Sequence, residues 1–290
     1  MMYGIKVVLG YLLGTDIADR NLAVYPDDTF IVSYPRSGNT WTRFLVANLL
    51  FPGAPVTFAN IERLIPDTSS QSNRALKRTP RPRFIKSHQY FDPRYPRVLY
   101  LVRDPRDLVL SYYNFQRKYR QIADDYPLAT YVDDFVEGRL ISADWGTWSE
   151  NVASWISTRQ QRTNFLLVRY EDMKKDTERE LERIAAFLHL KTDTDRLRQA
   201  IAASSPERMR ELEQAQSRQW VATKKQRQDI PFVGPAQSGR WQGELPDSLV
   251  AKIESTWGSL MSSLGYPLRT LHTNPPADSG MAQLQPLRNF

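Results

Sequence analysis

Residues 33–41 read Ser33-Tyr34-Pro35-Arg36-Ser37-Gly38-Asn39-Thr40-Trp41 and separate two segments of different periodicity. The apolar, β-branched run before them, residues 30–33, predicts a buried central strand of a parallel sheet. After them, residues 40–50 carry large apolar side chains at helical spacing. At a turn from strand to helix, backbone N–H groups and the positive end of the helix dipole form a phosphate cradle. An ordinary tight turn is the competing interpretation, and the Walker A pattern is absent.

The same order of strand and helix recurs along the chain. Residues 98–102 form an apolar run followed by a helical pattern over 107–119, and further strands are predicted at 83–86 and 165–168. This alternation predicts an α/β fold: a single domain, residues 1–271, with a central, mostly parallel sheet flanked by helices and a P-loop-like phosphate site. In such sheets ligands bind beyond the carboxyl ends of the strands.

Other segments are less regular. Residues 217–246 lack a helical period and are expected to form a long loop, while residues 272–290 are expected to be a poorly ordered tail. The apolar run at residues 5–13 is too short to span a bilayer, which needs about 20 residues. It is expected to be a buried first helix, with a weak interfacial anchor as the alternative if the acceptor is a lipid, so membrane contact is left open but not predicted.

Charge and composition limit the chemistry. The 290 residues include no cysteine, which excludes disulfides and thiolate catalysis and suits a reducing, cytoplasmic compartment. With only three histidines a His-rich metal site is not expected, whereas a carboxylate site for Mg²⁺ or Ca²⁺ stays open by composition. The formal charge is +7, and residues 74–120 alone hold 13 Lys or Arg against three Asp. A basic face exposed to solvent explains most of these side chains, whereas a few are expected to line a pocket for a polyanion.

The turn at residues 33–41 resembles the Tyr-Pro-Lys-Ser-Gly-Thr-Thr-Trp loop of sulfotransferases that use 3′-phosphoadenosine 5′-phosphosulfate (PAPS). The resemblance implies that residues 36–40 cradle the 5′-phosphosulfate and that an aromatic ring stacks on adenine. The residues concerned are Arg36, Ser37, Gly38, Asn39 and Thr40 for the cradle and Trp41 for adenine. Arg36 replaces the usual Lys; it keeps the charge, but a guanidinium is a poor proton donor.

Two further segments resemble the family in the same order. Arg103 and Ser111 match its Arg-(x)7-Ser segment, which implies that they hold the 3′-phosphate; a local pair between Arg103 and Asp107 is the structural alternative. Lys86-Ser87-His88 is similar to the family's Lys-Thr-His, which implies that His88 is the general base. Lys86 and Arg36 are then expected to stabilise the charge that develops during transfer.

Later segments agree in part. Tyr170-Glu171-Asp172-Met173 matches a family segment whose Tyr contacts adenine, and Ser204 matches a nucleotide contact more weakly. The Trp-rich segment 145–155 is interpreted mainly as core packing. At Gly234-Pro235 the family has an Arg-Lys pair that grips the 3′-phosphate, and Lys224, Lys225, Arg227 and Arg240 are the candidates to compensate for its loss.

The sequence therefore predicts a sulfotransferase that moves a sulfuryl group from PAPS to an acceptor hydroxyl, without a metal, and releases adenosine 3′,5′-bisphosphate (PAP). The predicted acceptor is a small molecule, glycan or lipid, with residues 51–73, 119–140 and 217–246 as its walls. The oligomeric state is left open. A non-catalytic module that binds adenosine bisphosphate and a small-molecule kinase are the alternatives, and a nucleic-acid partner is not expected because no binding module is recognised.

Overall fold

The computed structural model describes residues 17–142 and 144–269. The strands are β1 (Thr29–Ser33), β2 (Phe84–Ser87), β3 (Arg97–Val102) and β4 (Phe165–Arg169). They form one parallel sheet in the order β2-β1-β3-β4. The α/β prediction is confirmed, and each predicted strand lies within one residue of its predicted bounds.

Helices connect these strands and continue to the end of the described chain. In order they are α1 (Asn39–Leu50), α2 (Ile61–Leu64), α3 (Asn73–Lys77), α4 (Pro105–Lys118), α5 (Leu128–Val136), α6 (Trp148–Arg159), α7 (Tyr170–Lys175), α8 (Thr177–Phe187), α9 (Thr194–Ala203), α10 (Pro206–Gln216), α11 (Trp241–Glu244) and α12 (Asp247–Ser263). None of these helices is both long enough and apolar enough to cross a bilayer.

The helices bury both faces of the sheet. Every residue of β1 is buried, and its side chains alternate between two separate apolar clusters, with Phe30 and Val32 in one and Ile31 in the other. The first cluster includes apolar residues of α12, and the second includes apolar residues of α1. Because successive strand residues point to opposite faces, β1 is apolar without alternation and lies in the middle of the molecule.

Two features differ from the sequence expectations. Helix α4 begins at Pro105 rather than at residue 107, because the Asp104 side chain accepts a hydrogen bond from the backbone N–H of Arg106 and Pro105 suits the first helical position. The loop predicted at 217–246 is irregular except for the one-turn helix α11. The expected first helix and the expected tail lie outside the described residues.

Candidate active site

The turn between β1 and α1 takes a conformation that L-residues rarely adopt. Arg36 has φ 69° and Gly38 has φ 92°. The Asn39 side chain fixes this geometry, since its amide donates to the Ile31 carbonyl at 3.1 Å and to the Ser33 hydroxyl at 3.2 Å. The turn thereby presents the free N–H groups at the start of α1 beyond the carboxyl end of the central strand, where an anion is favoured.

Arg36 is held by groups from three distant segments. Its guanidinium donates to Ser111 Oγ at 3.1 Å and to the Phe232 carbonyl at 3.0 Å. It also lies 5.2 Å from the ring centroid of Phe115 and 4.8 Å from that of Phe232. Burial, then the positive charge of Arg103, lowers the pKa of Arg36 to about 10. A buried cation beside a second cation favours an anionic ligand.

Arg103 follows β3 directly and lies next to the turn. It donates to the Arg36 carbonyl at 3.2 Å and to the Gln237 carbonyl at 3.1 Å, and its guanidinium lies 4.4 Å from the ring centroid of Tyr170. Its Nε is buried and has no hydrogen-bond partner among the described residues. A local pair between Arg103 and Asp107 was the structural alternative. Asp107 instead accepts hydrogen bonds from the backbone N–H groups of residues 239 and 241.

Aromatic side chains form the wall beside the turn. Trp41 and Tyr170 meet edge to face with centroids 6.0 Å apart, and Trp41 donates from its indole to the Ser204 carbonyl at 3.0 Å. The Ser204 hydroxyl accepts from the Asn48 amide at 3.1 Å and lies behind Trp41 rather than in the cavity described below. Ser204 therefore orients Trp41, while the predicted nucleotide contact of its hydroxyl stays a prediction.

His88 lies immediately after β2. Its Nδ1 is 2.7 Å from the Ser33 carbonyl oxygen, and because a carbonyl oxygen only accepts, Nδ1 carries the proton and the lone pair is on Nε2. The backbone is fixed as well, since Asn151 donates from its amide to the His88 carbonyl at 3.2 Å. Burial, then the positive charge of Lys86, lowers the pKa of His88 to about 3. The imidazole is therefore neutral over the physiological pH range.

Lys86 points to the same side as His88 and forms an ion pair. Its Nζ lies 2.5 Å from Asp67 Oδ2, and Asp67 also accepts from the Ser69 hydroxyl at 2.7 Å. Burial opposes ionisation of Asp67, but the charges of Lys86 and Arg43 outweigh it and hold the pKa of this carboxyl well below its usual range. Lys86 is thus a positioned cation two residues from His88.

One cavity of about 630 Å³ brings most of these groups together. The predicted residues that line it are Arg36, Gly38, Asn39, Thr40, Trp41, Lys86, His88, Arg103, Ser111 and Tyr170. Ser37 is buried behind the turn, and its Oγ has no hydrogen-bond partner among the described residues. Of the four compensating cations considered, Arg240 alone lines the cavity. Arg227 instead pairs with Asp124 and Asp229.

The cavity also contains residues that the sequence pattern did not single out. They are Asp19, Asp67, Ser142, Asp144 and Lys174. Trp145 lines the cavity too, although the segment 145–155 was interpreted mainly as core; Trp148 and Trp155 are indeed fully buried. A single Asp has no local sequence signature of a site, so only the packing of distant segments could reveal these side chains.

Comparison with known proteins adds independent findings. A family model described as a sulfotransferase domain matches residues 26–265. Sulfotransferase 2A1 of Rattus norvegicus is 32% identical over 66% of this chain and 70% of its own length, and the 3-beta-hydroxysteroid sulfotransferase of Cavia porcellus is 30% identical over 68% and 71%. A crystal structure of mouse sulfotransferase SULT7A1 complexed with PAP shares the fold, with a TM-score of 0.71 at 22% identity over 88% of this chain and 91% of that one.

Proposed function

Since this chain belongs to the sulfotransferase family and catalyses sulfuryl transfer from PAPS, we propose that His88, Lys86 and Arg36 carry the reaction and that the turn at residues 36–40 holds the phosphosulfate. The observation that carries this assignment is the convergence of Arg36, His88 and Arg103, from the ends of three different strands, on one cavity. Ligands of parallel sheets bind at this edge.

The nucleotide half of the cavity is assigned from its cations and aromatic rings. Arg103 and Ser111 would bind the 3′-phosphate, and Trp41 and Tyr170 would contact adenine. Support comes from Arg103, which lines the cavity and whose buried Nε has no partner among the described residues. Buried polar atoms are almost always hydrogen-bonded, so this atom suits a polar ligand that supplies the missing partner.

The chemical step follows from the positions of His88 and Lys86. The Nε2 atom of His88 takes the proton of the acceptor hydroxyl, the acceptor oxygen forms a bond to sulfur, and the bond from sulfur to the 5′-phosphate oxygen breaks in line. The electron pair leaves with PAP, whose new negative charge is stabilised by Lys86, Arg36 and the amides of the turn. Fixed positive charges thus act where a metal ion acts in many phosphoryl transferases. Among the described residues no group of three His, Asp or Glu is placed to hold a metal.

The test is direct transfer of sulfate. The purified protein is incubated with radiolabelled PAPS, a chelator and a cell extract, and labelled products are identified by mass spectrometry. We expect labelled sulfate esters with the wild type in the presence of the chelator and none with His88→Ala. Turnover of ATP that requires Mg²⁺ would instead favour a kinase, and PAP binding without transfer to any acceptor would favour a non-catalytic module.

A further inference from the structure

Three aspartates surround the short segment 86–90 that carries the proposed base. Asp67 pairs with Lys86 at 2.5 Å, and Asp19 Oδ1 accepts from the Gln89 side-chain amide at 3.3 Å. The backbone carbonyl of Asp144 accepts from the N–H of Tyr90 at 3.2 Å. All three aspartates line the cavity that contains His88. The half of the cavity opposite the nucleotide site is therefore acidic.

This acidity is only partly compensated. Lys86 balances Asp67, whereas Asp19 and Asp144 form no ion pair with any side chain in the described part of the chain. The two carboxylates also interact with each other, because burial and then the charge of Asp144 raise the pKa of Asp19. A positive charge between them would remove this repulsion.

The other cations of the cavity are engaged on the nucleotide side. Arg36 and Arg103 bind Ser111 and the loop carbonyls of Phe232 and Gln237. Lys174 Nζ lies 5.4 Å from the ring centroid of Trp41. The charge of the cavity is thus divided, with most of its cations along the proposed nucleotide site and, along the proposed acceptor site, two carboxylates that pair with no cation among the described residues.

Two observations besides the carboxylates indicate a ligand in the acidic half. His88 is 9% exposed and lines the cavity with an unprotonated Nε2, which suits a ligand that can give up a proton. Trp145 lines the cavity with its ring centroid 5.7 Å from that of His88, and the face of an indole attracts cations. Because an indole binds alkylammonium groups through its ring face, an organic cation suits this half of the cavity.

We propose that the acceptor is a hydroxyl compound that carries a positively charged nitrogen, with Asp19 and Asp144 holding the cation against Trp145 while the hydroxyl meets His88. This proposal rests on the proposed sulfotransferase function and narrows its acceptor to amino alcohols, aminophenols and their quaternary analogues. It excludes plain phenols and sterols as preferred acceptors.

Matched acceptors that differ in charge alone test the proposal. Tyramine is compared with 4-propylphenol, and choline with 3,3-dimethylbutan-1-ol, at a fixed PAPS concentration. We expect kcat/KM to favour the cation by about tenfold or more, the size of one charge-assisted contact. Asp19→Asn and Asp144→Asn should each reduce this ratio by about threefold or more, and the double variant should bring it near one. Asp195→Asn, an exposed aspartate on α9 that does not line the cavity, should leave the ratio unchanged.

If none of these compounds is turned over, their binding to the protein tests the proposal. Calorimetry on the PAP-loaded protein then measures whether the cation of each pair binds more tightly than its neutral partner and whether the double variant removes the difference. Equal or better use of the neutral partner, unaffected by either substitution, overturns the cationic acceptor while leaving the sulfotransferase assignment intact. Failure of PAP to bind, with no transfer from PAPS to any acceptor, refutes the proposed function itself.

Discussion

At the scale of single residues, His88 depends on one hydrogen bond for its role. The Ser33 carbonyl fixes the proton on Nδ1, so Nε2 is the atom that can take a proton from the acceptor. Ser33 is the last residue of β1, and His88 follows β2, its neighbour in the sheet. The proposed base is therefore oriented by the sheet itself.

Removing the proposed base should strongly reduce transfer but leave nucleotide binding nearly unchanged. We expect His88→Ala and His88→Gln to lower kcat by about 10²–10⁴-fold, the usual contribution of a general base. The dissociation constant of PAP should change by less than about threefold, since His88 lies opposite the proposed phosphate contacts. His189→Ala, at an exposed position two residues after α8 and outside the cavity, is the control. Equal activity of wild type and both His88 variants would remove the assignment of the base.

The low pKa of His88 predicts an unusual pH dependence of activity. Because this pKa is about 3, the ring is already neutral at pH 5, so kcat/KM should not fall through an ionisation near pH 6.5 as it would for an ordinary imidazole. The measurement is kcat/KM between pH 5 and 8 with an acceptor that does not titrate in this range. A decline of kcat/KM centred near pH 6.5, seen both in the wild type and in the variant Glu182→Gln at an exposed position, would contradict the prediction.

The lowered pKa of His88 also makes the stability of the folded protein depend on pH. Below pH 6.5 the unfolded chain protonates His88 while the folded protein does not until about pH 3, so the unfolded state binds more protons and stability falls as the pH decreases through this window. One such proton corresponds to at most about 1.4 kcal/mol of unfolding free energy per pH unit. Urea unfolding at pH 6.5 and 5 should therefore show a smaller pH effect for His88→Gln than for the wild type.

At the scale of elements, the turn between β1 and α1 joins the nucleotide site to the sheet. Gly38 has φ 92°, and a Cβ atom at this position would lie 2.6 Å from Cδ2 of Tyr170. The glycine is thus required both for the backbone conformation and for the close approach of the ring proposed to contact adenine.

Gly38→Ala should therefore affect stability and ligand binding together. The left-handed backbone alone costs about 1 kcal/mol of unfolding free energy for an alanine, and the contact with Tyr170 adds to it. We also expect PAP affinity to fall by about tenfold or more, because Tyr170 must move. Gly243→Ala is the matched control, since a Cβ there has nothing within 4 Å. Thermal unfolding and calorimetry with PAP measure the two effects, and similar behaviour of the two variants would contradict the prediction.

Elements with local signals were predictable from the sequence. The strands are short apolar runs, and Arg36, His88 and Arg103 follow the ends of three of them, where parallel topology brings ligands. The start of α4 was misplaced because the capping function of Asp104 and the position of Pro105 outweigh the apolar periodicity that begins at residue 107. Asp19 and Asp144 gave no signal, because their place in the cavity depends on contacts with Gln89 and Tyr90, 70 and 54 residues away in sequence.

At the scale of the whole molecule, the irregular segment 217–246 completes the proposed nucleotide site. The Phe232 carbonyl accepts from Arg36 and the Gln237 carbonyl from Arg103. The segment is anchored from two sides, since Glu213 accepts from the N–H of Phe232 and Asp107 accepts from the N–H of Gly239. The carbonyl groups of this irregular segment thus position Arg36 and Arg103, the two arginines that the family resemblance assigns to phosphate binding.

At Gly234-Pro235 this chain lacks the Arg-Lys pair that the family has, so another cation is needed to bind the 3′-phosphate. Arg240 lines the cavity near this point and pairs with Glu244, from which a phosphate can recruit it. Arg240→Ala should weaken PAP binding by about tenfold, with a smaller salt dependence, as expected for loss of one charge-assisted contact. Arg227→Ala is matched in residue type and exposure, but it pairs with Asp124 and Asp229 outside the cavity and should leave PAP affinity unchanged. Calorimetry at two salt concentrations measures the PAP affinity of both variants. If both bind PAP as tightly as the wild type does, Arg240 does not compensate for the missing Arg-Lys pair. In that case Arg103 and the amides of the turn hold the nucleotide without it.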